Sequence, residues 1–497
     1  MNKIKLWAFI SIMISFSLIF AVCEVENGPS TPPEEPEEPF EWPVFEDIDA
    51  EGGVPYHITN NFAQDSSSAF LVQWHNDTNV AKQALQIVTR NGNAEDIRTI
   101  IAEGITWNPT KTPTDVGPYE SRNIFKIEIT DLNPNTRYVY RIGSPEGWSQ
   151  DFFHLTSSGT NANFSFTVAA DSQDNVFNQM RSTFRAANEF DANNRFFLIA
   201  GDISDYPQEN TSEFPNYTKV ANDFNIRTPI AVTQGNHDTY LVNTSNRDGY
   251  VFGSAEVFNS FVTFPENGWN QGAHHGPHRS KSYYFYYNKV LIIMLNTFAT
   301  QNATGPAEPV HTAQAAWLRE ILQHDKDNQL SKYIIVVTHI PFFAGRGSSN
   351  NNEPWLMAPT RAAYGKILSD FDVDICFFGH DHVYTRSEPI KITGTTTGNT
   401  RLQDMDFFDT PNGTIYSIAG SIGPKIYAFR NHPSNPNAPP VPTDSNTYIP
   451  QSWPVRTDQQ SPGMFVNVKV TSQKLIVTAR RVGVTQPLDT YEVMAKR

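Results

Sequence analysis

Five short apolar runs in this chain stop at residues able to bind a metal ion. Phe164-Ser-Phe-Thr-Val-Ala-Ala170 leads into Asp171-Ser-Gln173, and Phe196-Phe-Leu-Ile-Ala-Gly201 into Asp202. Ile230-Ala-Val-Thr-Gln-Gly235 leads into Asn236-His-Asp238, and Ile334-Ile-Val-Val-Thr338 into His339. The last run, Asp374-Ile-Cys-Phe-Phe-Gly379, gives way to His380-Asp-His382. Continuous apolar runs of this length read as buried strands, and a closing glycine lets the backbone turn sharply on leaving a sheet. One Asp or His at a strand end is ordinary. Six at the corresponding ends of successive strands describe a site, and oxygen and imidazole donors together suit first-row metals.

The stretches between these runs, 176–190, 312–324 and 360–370, have helical spacing, with Leu318, Ile321 and Leu322 on one apolar face. Strands alternating with helices predict a largely parallel, layered α/β sheet with its site at the carboxyl ends of the strands. Residues 290–295 read as a further buried strand, 413–423 as a buried strand and turn, and 464–479 as a hairpin that closes the sheet. Before this region the pattern differs. Short β-type runs at 69–74, 84–89, 124–129, 138–142 and 151–155 are separated by turn residues. Asp131-Leu-Asn-Pro-Asn-Thr-Arg-Tyr138 places a turn before an aromatic strand, which resembles a fibronectin type III sandwich.

The remaining segments set address and compartment. Lys3 and Lys5 precede an apolar run ending at Cys23, the pattern of an export signal, and Phe20-Ala-Val-Cys23 loosely resembles a bacterial lipobox. Secretion without lipid and an uncleaved anchor are the alternatives. Residues 24–45, rich in Pro and Glu, read as an extended tether. Cys376 reads as a buried thiol, so disulfides are not expected to stabilise the fold. The net charge of −15 and the lack of a basic cluster argue against a nucleic-acid-binding surface.

In order, Asp171-Ser-Gln, Gly201-Asp202, Gly235-Asn-His-Asp238, Thr338-His339 and Gly379-His-Asp-His382 resemble the five-block signature of calcineurin-like metallophosphoesterases. The preceding β region is similar to the N-terminal domain of purple acid phosphatases, so the resemblance spans about residues 54–490. It implies an all-β sandwich over residues 46–158 followed by a four-layered α/β/β/α metallophosphoesterase domain over 163–497. It also implies that Asp202 bridges two first-row ions (Fe, Zn or Mn). Asp171 and His382 would hold one ion, and Asn236, His339 and His380 the other. The expected reaction is hydrolysis of a phosphate ester by a dinuclear-metal-activated hydroxide. His237 would stabilise the transition state or protonate the leaving oxygen, with Asp238 orienting it.

The chain departs from the purple acid phosphatase pattern at two positions. Gln173 stands where that branch has Gly and other branches have a ligand His, which makes it a further candidate ligand. Asp205 occupies the slot of the tyrosinate that colours those enzymes, and Tyr206 falls one residue late, so the protein is expected not to be purple. Arg346, in a segment expected to overhang the site, His274 and Tyr384 are candidate substrate contacts, against the plainer readings of a solvated loop for His274 and packing below the site for Tyr384. A small phosphomonoester is the expected substrate, and a membrane tether through lipidated Cys23 the expected attachment. A phosphodiesterase acting on nucleotides or lipid headgroups, and a non-catalytic surface-binding lipoprotein, are the rival readings.

Overall fold

The computed structural model describes residues 40–45, 47–109, 119–207, 210–239, 255–268, 280–297, 308–343, 354–387, 389–392, 405–407, 413–425 and 463–496. The export signal, Cys23, His274 and Arg346 lie outside them.

The sandwich has two antiparallel sheets. Tyr56–Phe62, Phe70–Asn76, Arg122–Ile129 and Ile105–Trp107 form one, in that order. Arg98–Glu103, Lys82–Thr89, Arg137–Ser144 and Gly147–Trp148 form the other, with Phe152–Leu155 also paired to Arg137–Ser144. Alternate residues of both sheets (Val72, Trp74, Leu85, Ile87, Phe125, Ile127, Tyr140) point inward, and Trp74 stacks on Phe125 with ring centroids 5.6 Å apart. The turn before the aromatic strand is held as its sequence suggests: the Asn133 backbone N–H donates to the Tyr138 hydroxyl at 2.8 Å. The tether ends earlier than expected. The Phe40 N–H and Trp42 Nε1–H both donate to Asp151, at 3.1 and 2.7 Å, and the Arg141 guanidinium lies between the Trp42 and Trp148 rings. Aromatic side chains with sandwich surface to cover do not stay in a solvated tether, which moves the boundary from residue 45 to before Phe40.

The α/β region contains two mixed sheets of six strands each. In the first, Phe164–Ala169, Asn194–Ile199 and Ile230–Val232 run parallel. On the other side of Phe164–Ala169 come the antiparallel strands Met464–Val470, Lys474–Arg481 and Asp489–Met494. In the second, Val290–Leu295, Tyr333–Thr338, Ile375–Phe378 and Ile415–Ala419 run parallel between the antiparallel edges Tyr283–Tyr287 and Tyr384–Arg386. Two sheets agree with the α/β/β/α layering that the resemblance implies, and the largely parallel character expected of the strands holds for the inner strands, with antiparallel strands completing each sheet. Strand alternation shows the layering. Ile292 and Met294 join the core between the sheets, whereas Leu291, Ile293 and Leu295 pack under Leu318, Ile321 and Leu322 of the helix Glu308–Asn328. Cys376 is fully buried in this second layer. The helix Glu213–Asn225 and the strand Tyr283–Tyr287 had no counterpart in the sequence reading.

The sandwich is fused to the α/β region rather than tethered to it. Phe62, with none of its surface exposed, stacks on Phe285 at 4.7 Å and meets Phe196 edge-on at 5.2 Å, inside the core between the sheets. Around it a ring of side chains satisfies carbonyls of the other lobe. Asn61 Nδ2 donates to the Thr263 carbonyl at 2.7 Å, Gln73 Nε2 and His75 Nε2 to that of Ser260, and Asn60 Nδ2 to that of Asn225.

Phe62→Ala is expected to cost about 3–5 kcal/mol, with both lobes still unfolding in one transition by intrinsic fluorescence and calorimetry; separate transitions in the unmutated protein would contradict the fused seam. His154 supplies a second test. It is stacked on Phe70 at 3.9 Å with neither ring nitrogen hydrogen-bonded, and burial depresses its pKa from 6.5 to about 3. Between those values the unfolded chain takes up a proton that the folded chain refuses. Stability is therefore lost on acidification below the unfolded pKa, at up to about 1.4 kcal/mol per pH unit. In urea titrations at pH 7 and pH 5, His154→Phe should lose less stability between the two than the unmutated protein.

Candidate metal centre

The ligand-bearing turns hold backbone conformations that L-residues rarely adopt. Asp171, Asp202, His380 and His382 have φ of 56°, 52°, 72° and 48°, and Gln173 has 22°. Left-handed backbone at non-glycine residues costs on the order of 1–3 kcal/mol each and persists only where the surroundings enforce it. Hydrogen bonds do that here. The Asp238 carboxylate accepts the backbone N–H of Gly235 at 2.7 Å, Ser204 at 3.0 Å and Asp202 at 3.1 Å, binding two turns together. Asp171 accepts the His380 N–H through both oxygens, at 2.9 and 3.0 Å, and Asp202 Oδ1 accepts that of His237 at 2.8 Å. Close approach does the rest: a Cβ at Gly235 would run into the Asp202 carboxylate, and one at Gly201 (φ 82°) into the His339 ring and the Gly235 backbone.

The six expected ligands converge as buried side chains. The donor atoms of Asp202, His339 and His380 lie within 4.8 Å of one another, as do those of Asp171, Asp202 and His382, so both groups share Asp202. Asn236 Oδ1 completes the first group, 2.8 Å from His339 Nε2 and 2.9 Å from His380 Nδ1. Second contacts set the imidazoles. His339 Nδ1 donates to the Ala200 carbonyl at 2.8 Å and His382 Nδ1 to that of Lys425 at 2.9 Å, which aims each Nε2 inward. Burial, with the neighbouring Asp202 adding to it, pushes the Asp171 carboxyl well above the usual carboxylate range. Asp202 is buried too, yet His339 and His237 hold it below that range. Two adjacent buried carboxylates, three imidazoles and an amide oxygen fit two cations, because bound charge relieves the repulsion between the acids.

Beside the ligands, His237 Nδ1 lies 2.8 Å from Asp205 Oδ1, and Lys425 Nζ reaches the same oxygen at 2.5 Å. Burial opposes charge on His237, but Asp202 and Asp205 together carry its pKa above the usual value. Asp238, expected to orient His237, makes no hydrogen bond to it and instead secures the turns; Asp205 is the orienting carboxylate. Gln173 is also corrected. Its Nε2 donates to Asp202 Oδ2 at 3.1 Å, and an amide nitrogen does not ligate a cation, so as placed it steadies a ligand. Tyr384 is fully buried, and its hydroxyl donates to Asp489 at 2.9 Å beside Arg386, so it packs in the core instead of meeting substrate. Lys425 escaped the sequence reading because nothing near it in the chain marks its partner 220 positions away.

Residues 164–384 match the family model described as calcineurin-like phosphoesterase, and residues 55–157 that of the purple acid phosphatase N-terminal domain. The chain carries a calcineurin-like phosphoesterase domain. Its sequence relatives include purple acid phosphatase 21 of Arabidopsis thaliana, 25% identical over 55% of each chain. Another is the Fe(3+)-Zn(2+) purple acid phosphatase 12 of the same plant, 24% identical over 55% of this chain and 54% of the relative. The chain thus spans about half the length of these relatives. Among solved structures, a purple acid phosphatase from yellow lupin (Lupinus luteus) seeds superposes with a TM-score of 0.64 at 15% identity, covering 89% of this chain and 74% of that one. PhoD superposes with a TM-score of 0.54 at 12% identity, covering 90% of each. Both likenesses show the fold of the sandwich and phosphoesterase domain together.

Elemental analysis of the purified protein is expected to find two first-row ions per chain. Gly235→Ala should drop that content below one while leaving the far-ultraviolet circular dichroism unchanged, since the added methyl displaces Asp202 without touching the sheets. Full metal content in this variant would mean that the Asp202 turn is not what positions the ions.

Proposed function

We propose that this protein is an exported, metal-dependent phosphatase that hydrolyses small phosphate monoesters. The observation that carries the reading is the shared carboxylate: Asp202 belongs to both ligand groups, and His237 follows directly on Asn236 of the first. Asp171 and His382 would hold one ion, and Asn236, His339 and His380 the other, drawn from Fe, Zn or Mn by the mixed oxygen and nitrogen donors. When bound, such a pair supplies Lewis acidity toward phosphoryl oxygens and a nucleophile from water near neutral pH.

The protein's own groups do the remaining work. The Asp205 carboxylate and the Lys425 ammonium fix the His237 ring from one side, with the Tyr206 ring edge-on to it at 5.8 Å. A protonated His237 held in this way is suited to donate to a phosphoryl oxygen or to give its proton to the leaving alkoxide. Asp205 in the slot of the colour-giving tyrosinate supports a colourless centre. The monoester preference rests on the purple acid phosphatase type of N-terminal domain. Export and attachment through lipidated Cys23 rest on the N-terminal sequence pattern, and either periplasm or cell surface accommodates them.

The test pairs turnover with metal loading. The protein supplied with Mn, Zn or Fe should hydrolyse p-nitrophenyl phosphate at least tenfold faster than bis-p-nitrophenyl phosphate. His237→Ala should lower kcat by about 10²–10⁴ while keeping its two ions, whereas Asp202→Asn should lose both ions and turnover. A diester rate exceeding the monoester rate would favour the phosphodiesterase reading. No turnover by a fully loaded protein would favour the binding scaffold.

A further inference from the structure

We propose that a cavity beside the metal centre receives the alcohol part of the ester and selects alcohols bearing an ammonium group, an inference that rests on the phosphatase reading above. The cavity has a volume of about 470 Å³. Gln173 and Asp174 line it from the turn after the strand ending at Ala169, and Asp205, Tyr206, Asn210 and Glu213 from the segment after the strand ending at Ile199. It touches the reaction machinery twice, through Gln173 on Asp202 and through Asp205 on His237. An alcohol leaving from a phosphoryl group held at the centre therefore has this space beside it.

The lining offers acceptors and negative charge. Asp174 Oδ1 takes one weak N–H from Val176 at 3.3 Å, and no cation among the described residues pairs with the carboxylate. Gln173 is 3% exposed, and with Nε2 held by Asp202 its Oε1 has no hydrogen-bond partner. Asn210 spends its amide protons on Glu213 and Asn175. Glu213 accepts the backbone N–H groups of Asp205 and Tyr206 at 2.9 and 3.0 Å. Asp205 is already paired with Lys425 and His237, and burial raises the Glu213 carboxyl to about 7, which leaves Asp174 as the uncompensated negative charge of the lining. Acceptors around one uncompensated carboxylate, with an aromatic wall at Tyr206, match a cation that donates hydrogen bonds.

The experiment compares kcat/KM for phosphoethanolamine with that for n-propyl phosphate, which has the same length without the charge. A preference of about twofold to fivefold for the amine is expected, the worth of one partly exposed ion pair. In Asp174→Asn the ratio should fall toward one. Free ethanolamine should also inhibit p-nitrophenyl phosphate hydrolysis by the unmutated protein more strongly than n-propanol does, a readout that needs no variant. Equal kcat/KM values for the two esters, or an amine preference undiminished in Asp174→Asn, would overturn the assignment and leave the phosphatase intact. Absence of p-nitrophenyl phosphate turnover in the metal-loaded protein would remove both.

Discussion

Two carboxylates, Asp171 and Asp202, are buried side by side, and the structure around them is arranged to keep them there. Burying like charges is among the most expensive things a fold can do without a cation. The cost is met locally by backbone N–H groups aimed at the carboxylates, by the His339 and His382 rings, and by geometry that leaves the inner oxygens and nitrogens facing common centres. Strain accompanies this arrangement. The left-handed residues at the strand ends hold their φ values because glycines leave room for the adjoining chain and because Asp238 binds two turns at once. Asp238 therefore acts as a keystone of the loops, and its own carboxyl, pushed up to about 7 by burial and by Asp202, reflects the crowding of acids in this place.

The sandwich changes meaning once the seam is visible. Its strand pattern resembles a fibronectin type III sandwich, yet one of its phenylalanines sits in the core of the neighbouring lobe. Its Asn60, Asn61, Gln73 and His75 donate to carbonyls that no strand of that lobe satisfies. The helix Glu213–Asn225 is clamped between this seam and the site. Its Asn225 carbonyl accepts from the sandwich, while Glu213 at its start holds the backbone of Asp205 and Tyr206. The N-terminal lobe is thereby part of the support for the segment that orients His237.

Much of the site was legible in the sequence because the ligands sit directly after buried strands. An apolar run, a turn and an Asp or His is a local pattern, and parallel strands bring such ends together whatever the details of the loops. The errors arose where a role depends on side-chain direction. Adjacency made Asp238 look like the partner of His237, but its carboxylate points to the Gly235, Ser204 and Asp202 amides. In the sequence Asp205 stands out only as a missing tyrosine, and Tyr384 reads equally as a substrate contact or as packing below the site. Gln173 could be placed in a ligand slot by position, but which end of its amide faces Asp202 is decided in space.

Sequence alone carried the two-lobe order and the row of candidate ligands at strand ends, because each depends on residue type and short-range periodicity. The tertiary structure decided the strand order and direction within the two sheets, the fused seam, the exchange of roles between Asp205 and Asp238, and the part played by Lys425. Those features depend on which groups meet across 30 to more than 200 residues. Periodicity shows which face of an element is buried, whereas packing decides what that face is buried against.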